Sequence, residues 1–428
     1  MGVRGVYCQD VRSDRAEGDH QEADRAGIMG VVLKAVSPAY GGYTIARDEK
    51  VILIKGAVPG EVVEVEIVEK KRDYSTARVV SVVEASEHRV EPPCPVFGVC
   101  GGCQLQFIAY EKQTAMKDEI LLDSLTRIGG IDIAPGPALT GEQWHYRRRA
   151  QFKVGPAGDM GFFREASRDV VTFDACPLMD ESINLLTEKI KKQCETRGLS
   201  EIHIASGDLP VVLLRGRDYT AGSFNAFLEA GFSGVAFDKT IVAGSGSTSF
   251  DLNGMSYTVS PWSFFQAHWE LNRSVVDFMV SELMPLSGKR VLDLYAGAGN
   301  FALPLARQAG EVTAVEENPH AVDDGIRNVR LNELKHCKMV RSSAEKFKIG
   351  RKYDIIVLDP PRPGLTGDVV KKLLETPPDS LVYISCNPAT LARDLKKLTA
   401  KYDIRSVRQI DFFPNTFHIE SIAFLTVR

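Results

Sequence analysis

From residue 261 to the C-terminus, short apolar runs alternate with segments that have the periodicity of helices. The runs lie in "KRVLDLYAGAGNF", "EVTAVEEN", "YDIIVLDPPRPG" and "SLVYISCNPATLARDLKKL". Strands that alternate with helices specify a mainly parallel, doubly wound α/β sheet. Such sheets bind ligands at the carboxyl ends of their strands, so the residues after each run are the first candidates for chemistry.

Residues 29–86 have a different texture, in which four β-like runs are separated by turns that contain glycine. In "GEVVEVEIVEKK", Val63, Val65 and Ile67 alternate with glutamates, which gives the strand one apolar and one charged face. Several short strands in so short a segment predict a small β-barrel of the OB type, a common scaffold for binding nucleic acid.

Residues 1–28 are charged and almost free of apolar periodicity, so we predict a disordered leader, with Met29 as an alternative start. The 428-residue chain is 44% hydrophobic and 25% charged, as is ordinary for a soluble protein of several domains. No run is long enough to span a membrane and no secretory signal is recognisable, so we expect a cytoplasmic protein. Because the net charge is -4, any RNA contact must come from local basic patches.

Between the barrel and the α/β region, residues 87–260 are predicted to form a strand-rich central domain. A helix is expected over about 107–129, where apolar residues recur at helical spacing before Gly129, and we expect it to pack on the α/β region. Further along, "HYRRRAQFK" concentrates positive charge beside aromatic residues. We expect this segment to contact RNA through Arg147, Arg148, Arg149 and Lys153.

The central domain also carries a group of cysteines. Cys94, Cys100 and Cys103 form a C-x5-C-x2-C array, and Cys176 lies far downstream in "DACPLM". Four soft ligands suit either an iron–sulfur cluster or zinc. Three ligands from one loop and a fourth from elsewhere are commoner in cluster proteins than in zinc ribbons, which favours the cluster and leaves zinc as the alternative.

The first strand of the α/β region runs into a glycine loop. Gly297 and Gly299 allow a tight turn and a close approach of the backbone to a ligand. Glu316 ends the next apolar run, where its carboxylate can accept hydrogen bonds from two ribose hydroxyls. The third glycine of a dinucleotide fingerprint is missing, and Asp293 precedes the turn. The loop therefore favours S-adenosylmethionine over a nicotinamide dinucleotide.

Two later strands end in candidate reactive groups. "YDIIVLDPPRPG" places Asp359 and Arg362 where this fold binds the group to be modified, and the arginine replaces the aromatic residue of many amine-methylating enzymes. Cys386 ends the next run, and Asn387 with Pro388 predicts that a helix begins immediately after it. We expect the helix amides and dipole to favour the thiolate of Cys386 over the thiol.

A thiolate in a methyltransferase has a specific chemical use. Carbon 5 of a pyrimidine is a poor nucleophile, but addition of a thiolate at carbon 6 produces an enolate that attacks a methyl group through carbon 5. The adduct must then lose its carbon-5 proton to a base. Near the C-terminus, "FFPNTFHIES" offers Glu420 for this task, with His418 as the less favoured candidate.

The segments "FFQAHWELN", "DLYAGAGNF", "LDPPRPG", "SCNPATLARDL" and "FFPNTFHIES" follow one another in the order and spacing of the RNA uracil-5 methyltransferase family. The chain resembles this family from about Met29 onward, and the cysteine motif is the most discriminating part. The resemblance implies a class I methyltransferase fold over 261–428, with Cys386 as nucleophile and Glu420 as proton acceptor.

The same resemblance implies the cofactors and the residues that hold them. The expected S-adenosyl-L-methionine pocket is lined by Gln266, Tyr295, Asn300, Glu316 and Asp359. A [4Fe-4S] cluster is expected on the four cysteines Cys94, Cys100, Cys103 and Cys176. The N-terminal barrel resembles a TRAM domain, and its candidate RNA contacts are Tyr40, Tyr43, Lys50, Lys55, Lys70, Lys71 and Arg72.

The predicted function is therefore methylation of carbon 5 of a uridine that is flipped out of a structured RNA. The barrel and the cysteine cluster favour 23S ribosomal RNA, with transfer RNA as the alternative substrate. A non-catalytic iron–sulfur protein that binds RNA is the alternative of a different class, and a nicotinamide dehydrogenase is a more distant one. No membrane and no protein partner are implied.

Overall fold

The computed structural model describes residues 30–217, 219 and 224–428, so the predicted leader and Met29 lie outside the described residues. The chain divides into two compact units. One comprises Met1–Glu91 with Phe107–Lys112, and the other comprises Pro92–Gln106 with Gln113–Arg428. Within the described part of the chain, no helix is both long enough and apolar enough to cross a membrane.

The first unit is a closed β-barrel. Its strands are β1 Val31–Lys34, β2 Ser37–Ala39, β3 Tyr43–Arg47, β4 Val51–Lys55, β5 Val62–Lys70 and β6 Tyr74–Glu84. They pair in the order β1-β5-β6-β4-β3-β2, and the amide of Val36 donates to the carbonyl of Ile45, which closes the sheet. Because β1 and β2 act as one bent strand and β4 pairs parallel to β6, the topology is that of a five-stranded Greek-key barrel of the OB type. The predicted barrel is confirmed.

The second unit begins with the cysteine loop and a long helix. Helix α1, Tyr110–Ser124, ends in a π-helical turn over Leu125–Gly129, and strand β7, Gly136–Leu139, follows. Leu121 and Leu125 are buried in the core of the α/β sheet, and the π-helical turn packs against the last helix of the chain. Gly130 adopts a left-handed conformation with φ of 63° and caps the turn.

The central region forms a seven-stranded sheet in the order β10-β9-β8-β11-β12-β13-β14. Its strands are β8 Arg149–Val154, β9 Met160–Phe163, β10 Val170–Thr172, β11 Leu199–Ala205, β12 Val211–Gly216, β13 Gly234–Phe237 and β14 Thr240–Gly244. Helices α2, Glu181–Gln193, and α3, Phe224–Glu229, contribute buried side chains to its core. Asp180 caps α2 by accepting from the amide of Ser182 at 2.9 Å.

A hairpin of β15, Thr248–Leu252, and β16, Met255–Val259, precedes the α/β region. Phe250, Tyr257 and Val259 lie in the same buried cluster as the first strand of the α/β sheet. The hairpin lies before residue 261, where the sequence places the start of the catalytic domain, yet its apolar side chains are part of the catalytic core.

The catalytic sheet has eight strands in the order β19-β18-β17-β20-β21-β23-β22-β7. These are β17 Arg290–Leu294, β18 Glu311–Glu316, β19 Cys337–Arg341, β20 Ile355–Leu358, β21 Ser380–Ser385, β22 Tyr402–Ile410 and β23 Glu420–Val427, with β7 at the edge. The helices are α4 Trp269–Glu282, α5 Ala302–Ala306, α6 Pro319–Leu331, α7 Gly367–Glu375 and α8 Pro388–Leu398. Strands β17 to β21 are parallel, and β23 is antiparallel to both of its neighbours.

Side chains that alternate along these strands build a core on each face of the sheet. Val291 and Ile355 belong to one buried cluster, whereas Leu292 and Ile356 belong to the other. The strand order reverses between β17 and β20, and the crevice of such a sheet lies at this switch point. The predicted doubly wound α/β fold is confirmed.

Candidate functional site

The glycine loop after β17 is shaped by three residues with positive φ. Tyr295 has φ of 67°, Gly297 of 55° and Gly299 of 99°, so the chain turns sharply towards α5. A Cβ at position 299 would lie 2.1 Å from Cδ1 of Leu303, which leaves glycine as the residue that fits. The carboxylate of Glu316 accepts from the amide of Gly297 at 2.9 Å and from that of Asn318 at 2.8 Å. This carboxylate therefore ties the loop to the end of β18.

Asp293 lies at the bottom of this crevice and is fully buried. Neither of its carboxylate oxygens makes a hydrogen bond within the described chain. Burial raises the pKa of Asp293 well above its ordinary value, and the nearby charges of Asp359 and Glu316 raise it further. A buried acid of this kind gains free energy from a cation or a hydrogen-bond donor placed next to the crevice.

Two of the side chains predicted to hold the methyl donor are amides. The Gln266 side chain is buried and its Oε1 has no partner in the described structure, so it offers an acceptor to a ligand. Asn300 exchanges two hydrogen bonds with buried Asn272, at 2.7 and 3.1 Å. Asn272, on α4, was not among the predicted site residues, and it holds the orientation of the Asn300 amide.

The two predicted catalytic residues lie next to the last pair of a strand ladder. Ser385 of β21 pairs with Ser421 of β23 in an antiparallel ladder, and Cys386 and Glu420 each lie one residue beyond that pair. The charge of Glu420 raises the pKa of Cys386 after the larger effect of burial, so the two side chains are neighbours. A planar ring bound at this edge therefore reaches both groups.

The ionisation of Cys386 differs from the expectation. Burial raises the pKa of the half-buried thiol to about 11, and the carboxylates of Glu420 and Asp359 add to the effect, while Arg362 opposes it. The amides of Ala389 and Thr390 donate to Oδ1 of Asn387, which caps α8 as predicted. The expectation that the helix N-terminus favours the thiolate is therefore wrong, because burial and the two carboxylates raise the pKa and the cap residue accepts from two of the helix amides.

Glu420 and Asp359 share an acidic environment. Burial and the charge of Asp359 raise the pKa of Glu420 to about 8, and Arg362 lowers it. Burial and the charge of Glu316 raise the pKa of Asp359 to about 7. Several carboxyl groups that resist simultaneous ionisation make this crevice suitable for a cationic ligand.

His418 is a poor proton acceptor in this setting. Burial lowers its pKa to about 4, and the charges of Arg362, Lys117 and Arg147 lower it further. The Nη2 of Arg362 lies 3.2 Å from Nδ1 of His418, which suits a neutral imidazole that accepts. Glu420 is therefore the better base of the two predicted candidates.

Asp394 is a site residue that the sequence interpretation missed. From the buried face of α8, its Oδ2 accepts from the amide of Leu365 at 2.8 Å and from the hydroxyl of Tyr383 at 2.9 Å. The guanidinium of Arg393 binds the same carboxylate and donates to the carbonyl of Pro363 at 2.8 Å. The group ties the loop after Asp359 to the helix after Cys386. Its sequence signal is an acid three residues after a core leucine, on the apolar face of the helix.

The four predicted metal ligands line one cavity of about 490 Å³. They are Cys94, Cys100, Cys103 and Cys176. Burial raises the pKa of Cys103 to about 12, and the neighbouring thiols raise it further. Among the described residues, no group of three or more His, Cys, Asp or Glu side chains is arranged to hold a metal ion. The four thiols therefore share a cavity without forming a set of metal ligands in the described structure.

Several predicted RNA contacts have partners within the protein. Arg149 donates to the carbonyl of Ser263 at 2.7 Å, and Arg148 pairs with Asp180 at 3.2 Å. In the barrel, Nζ of Lys55 lies 5.1 Å from the centre of the Tyr43 ring. These predicted contacts with RNA remain predictions.

The sequence is similar to those of known RNA-modifying enzymes. A family model described as tRNA (uracil-5-)-methyltransferase matches residues 247–428. An "Uncharacterized RNA methyltransferase" of Aquifex aeolicus (strain VF5) is 35% identical over 419 residues, which cover 91% of this chain and 96% of the relative. The 23S rRNA (uracil(1939)-C(5))-methyltransferase RlmD of Methylococcus capsulatus is 34% identical over 418 residues, which cover 90% of this chain and 94% of the relative.

The fold is also similar to that of a solved structure. The crystal structure of Pyrococcus abyssi tRNA (uracil-54, C5)-methyltransferase in complex with S-adenosyl-L-homocysteine superposes with a TM-score of 0.74 and 24% sequence identity. The match covers 93% of this chain and all of that one. The likeness extends over the barrel, the central region and the catalytic sheet.

Proposed function

Because the chain belongs to the RNA (uracil-5-)-methyltransferase family, we propose that it methylates carbon 5 of a uridine in 23S ribosomal RNA. The methyl donor in this proposal is S-adenosyl-L-methionine. The substrate assignment is supported by the RlmD relatives, which are about one-third identical over most of the chain. Transfer RNA is the second candidate, because the family model carries that description and a transfer RNA enzyme shares the fold.

The observation that carries the proposal is that Cys386 and Glu420 each lie one residue beyond the last pair of the β21–β23 ladder, Ser385 with Ser421. Addition of a thiolate to a pyrimidine and removal of a proton from the adjacent carbon need two groups on the same side of one ring. The register of β21 and β23 supplies such a pair at the carboxyl end of the sheet. The acidic crevice lies next to it, so donor and acceptor can meet there.

The residues that would hold the methyl donor are Gln266, Tyr295, Asn300, Glu316 and Asp359. When bound, S-adenosyl-L-methionine supplies an electrophilic methyl group and a positive sulfur that offsets the surrounding carboxylates. The unpartnered Oε1 of Gln266 and the buried carboxyl of Asp293 fit a ligand that carries donors and positive charge. Glu316, at the end of β18, lies where a ribose would bind.

The catalytic steps follow from the two opposed side chains. Ionised Cys386 forms a bond to carbon 6 of the uracil, and the electron pair of the 5,6 double bond moves towards the carbonyl at carbon 4. Carbon 5 then accepts the methyl group. The carboxylate of Glu420 removes the carbon-5 proton, the double bond re-forms, and the bond from sulfur to carbon 6 breaks. Arg362 favours the ionised forms of both residues, since its charge lowers both pKa values.

The cysteine cavity is proposed to hold a [4Fe-4S] cluster on Cys94, Cys100, Cys103 and Cys176. What supports the cluster is that all four cysteines, which are soft ligands of the kind such a cluster takes, line one cavity. Burial raises the pKa of Cys176, and the charge of Arg147, which lines the cavity, opposes this shift, so a positive charge is present beside the proposed ligands. Metal and sulfide analysis of anaerobically purified protein tests this assignment. We expect iron and sulfide in equal amounts, about four of each per chain, and stoichiometric zinc would contradict the cluster.

Activity on defined RNA tests the proposed function. Purified protein is incubated with labelled S-adenosyl-L-methionine and with ribosomal or transfer RNA from cells that lack the gene. We expect 5-methyluridine in 23S RNA and no turnover by Cys386→Ala. The affinity of this variant for the methyl donor should stay within about threefold of the wild type, a difference of less than about 1 kcal/mol in binding free energy. The matched control is Cys194→Ala, which removes a thiol at the end of α2 and should leave activity intact. Full activity of Cys386→Ala, or product in transfer RNA alone, contradicts the proposal.

A further inference from the structure

The segment before Glu420, residues 411–419, is held by groups that lie outside the catalytic sheet. We call this segment the acceptor loop, because it leads directly into the proposed proton acceptor. Its central residue, Asn415, is almost fully buried and has φ of 65°, a conformation that asparagine tolerates better than most residues. The loop is therefore shaped by local strain as well as by its contacts.

Two hydrogen bonds join Gln113 to Asn415. Nε2 of Gln113 donates to Oδ1 of Asn415 at 3.0 Å, and Oε1 of Gln113 accepts from the backbone amide of Asn415 at 2.9 Å. Nδ2 of Asn415 donates to the carbonyl of Gln143 at 3.0 Å. Every hydrogen-bonding atom of the Asn415 amide and peptide N–H is thus committed to residues distant in sequence.

The cysteine loop takes part in the same arrangement. The amides of Gln104 and Leu105 both donate to the carbonyl of Asn415, at 3.1 and 3.0 Å. Oε1 of Gln104 accepts from the amide of Phe417 at 3.4 Å, while its Nε2 donates to the carbonyl of Gly101 at 2.9 Å. The loop that carries Cys100 and Cys103 is therefore fastened to the acceptor loop.

A buried ion pair fixes the start of the acceptor loop. Nζ of Lys117 lies 2.6 Å from Oδ1 of Asp411 and donates to the carbonyl of Phe413 at 3.1 Å. Lys117 is four residues after Gln113, so both side chains leave the same face of α1. Helix α1 and the cysteine loop together clamp the acceptor loop from Asp411 to Phe417.

We propose that Asn415 is a positioning residue for proton removal, and that the clamp on it sets where Glu420 stands relative to carbon 5 of the uracil. Cys386 is held separately, by strand β21 and by the capped start of α8. Loosening the clamp therefore impairs the late step of the reaction and spares the early one. The proposal rests on the covalent mechanism proposed above.

Separate measurements of the two steps test this assignment. RNA that carries 5-fluorouridine traps an adduct without loss of the carbon-5 substituent, so the trapping rate reports only the steps before proton removal. The variants are Asn415→Gly, which keeps the positive φ and removes the amide, and Gln113→Ala, which removes its partner. Asn332→Ala is the control, because the Asn332 side chain likewise makes two hydrogen bonds, here to the backbone of Ser256 in the β15–β16 hairpin.

For either clamp variant we expect turnover to fall about 10- to 100-fold, as a displacement near 1 Å produces. The trapping rate should change less than about threefold, whereas a tenfold change would correspond to about 1.4 kcal/mol. With RNA that contains ordinary uridine, the clamp variants should accumulate a methylated protein–RNA adduct that survives denaturation, as Glu420→Gln should. Asn332→Ala should behave as the wild type.

Equal losses of trapping and turnover in both variants, or unchanged turnover in both, overturn the positioning role of Asn415. If Glu420→Gln accumulates an adduct and the clamp variants do not, this inference fails alone. If fluorinated RNA traps not even the wild type, the covalent mechanism itself fails. A thermal unfolding curve for each variant identifies any chain that is not folded at the assay temperature, and the remaining clamp variant then decides.

Discussion

The raised pKa of Glu420 implies that the proposed proton acceptor destabilises the folded protein once it ionises. The folded pKa is about 8, against an ordinary value of 4.5. The folded state therefore binds the proton more tightly than the unfolded chain does. The protonated carboxyl contributes its full stability below about pH 4.5, and this stability is lost as the pH rises through about 8.

The expected size of the effect follows from the same two values. Each pH unit between them changes the free energy of unfolding by about 1.4 kcal/mol, so the upper limit is about 5 kcal/mol. Glu420→Gln cannot ionise and escapes this loss. We expect the stability of the variant relative to the wild type to increase by about 2–4 kcal/mol between pH 5 and pH 9, because about three of the pH units between the two pKa values lie in that range. The lower figure allows for relaxation and water entry.

Unfolding of both proteins by urea at a series of pH values measures this difference in stability. The control is Glu282→Gln, which removes a carboxyl at the exposed end of α4. Using differences cancels the contributions of acids that do not interact with Glu420. A flat difference for Glu420→Gln, or one that decreases with pH, refutes the reasoning about this carboxyl.

Three further predictions concern buried charges around the site. Lys117→Met leaves Asp411 buried without its cation and should lower the free energy of unfolding by about 3–5 kcal/mol, measured by urea unfolding, with most of the loss restored by adding Asp411→Leu. Asp394→Asn keeps the shape of its side chain but weakens the bonds to the Asp359 loop. It should reduce kcat by about tenfold or more at unchanged secondary structure, in line with small displacements at a reacting centre. In Glu420→Gln, removal of a nearby negative charge should lower the pKa of Cys386, so alkylation of this thiol by iodoacetamide should reach its plateau at lower pH than in the wild type. An unchanged stability, kcat or alkylation profile, respectively, contradicts each of these.

Features with local causes were predictable from the sequence. Alternating apolar runs and helices indicated the doubly wound sheet, because each run must bury both faces under helices. Asn387 and Pro388 predicted the start of α8, and Asn387 does cap it. The alternation in "VVEVEI" likewise predicted a half-buried barrel strand, which is the observed β5.

Features that depend on distant contacts were not predictable in the same way. Lys117 and Asp411 lie 294 residues apart, and nothing local in either segment indicates that they pair. The cap of α8 was recognised, but the conclusion about the thiolate was wrong, since it omitted burial and two carboxylates contributed by other strands. Strand β7 joins the edge of the catalytic sheet from far upstream, and its short sequence carries no sign of that partner.

The account depends on a transient bond between the sulfur of Cys386 and carbon 6 of the target uracil. The most direct measurement is incubation of the protein with S-adenosyl-L-methionine and 23S RNA in which 5-fluorouridine replaces uridine, followed by denaturing separation and mass analysis of the trapped peptide. We predict one RNA-linked peptide, which contains Cys386, and none from Cys386→Ala. A wild-type enzyme that methylates ordinary RNA but forms no such link, or links through a different residue, contradicts the account.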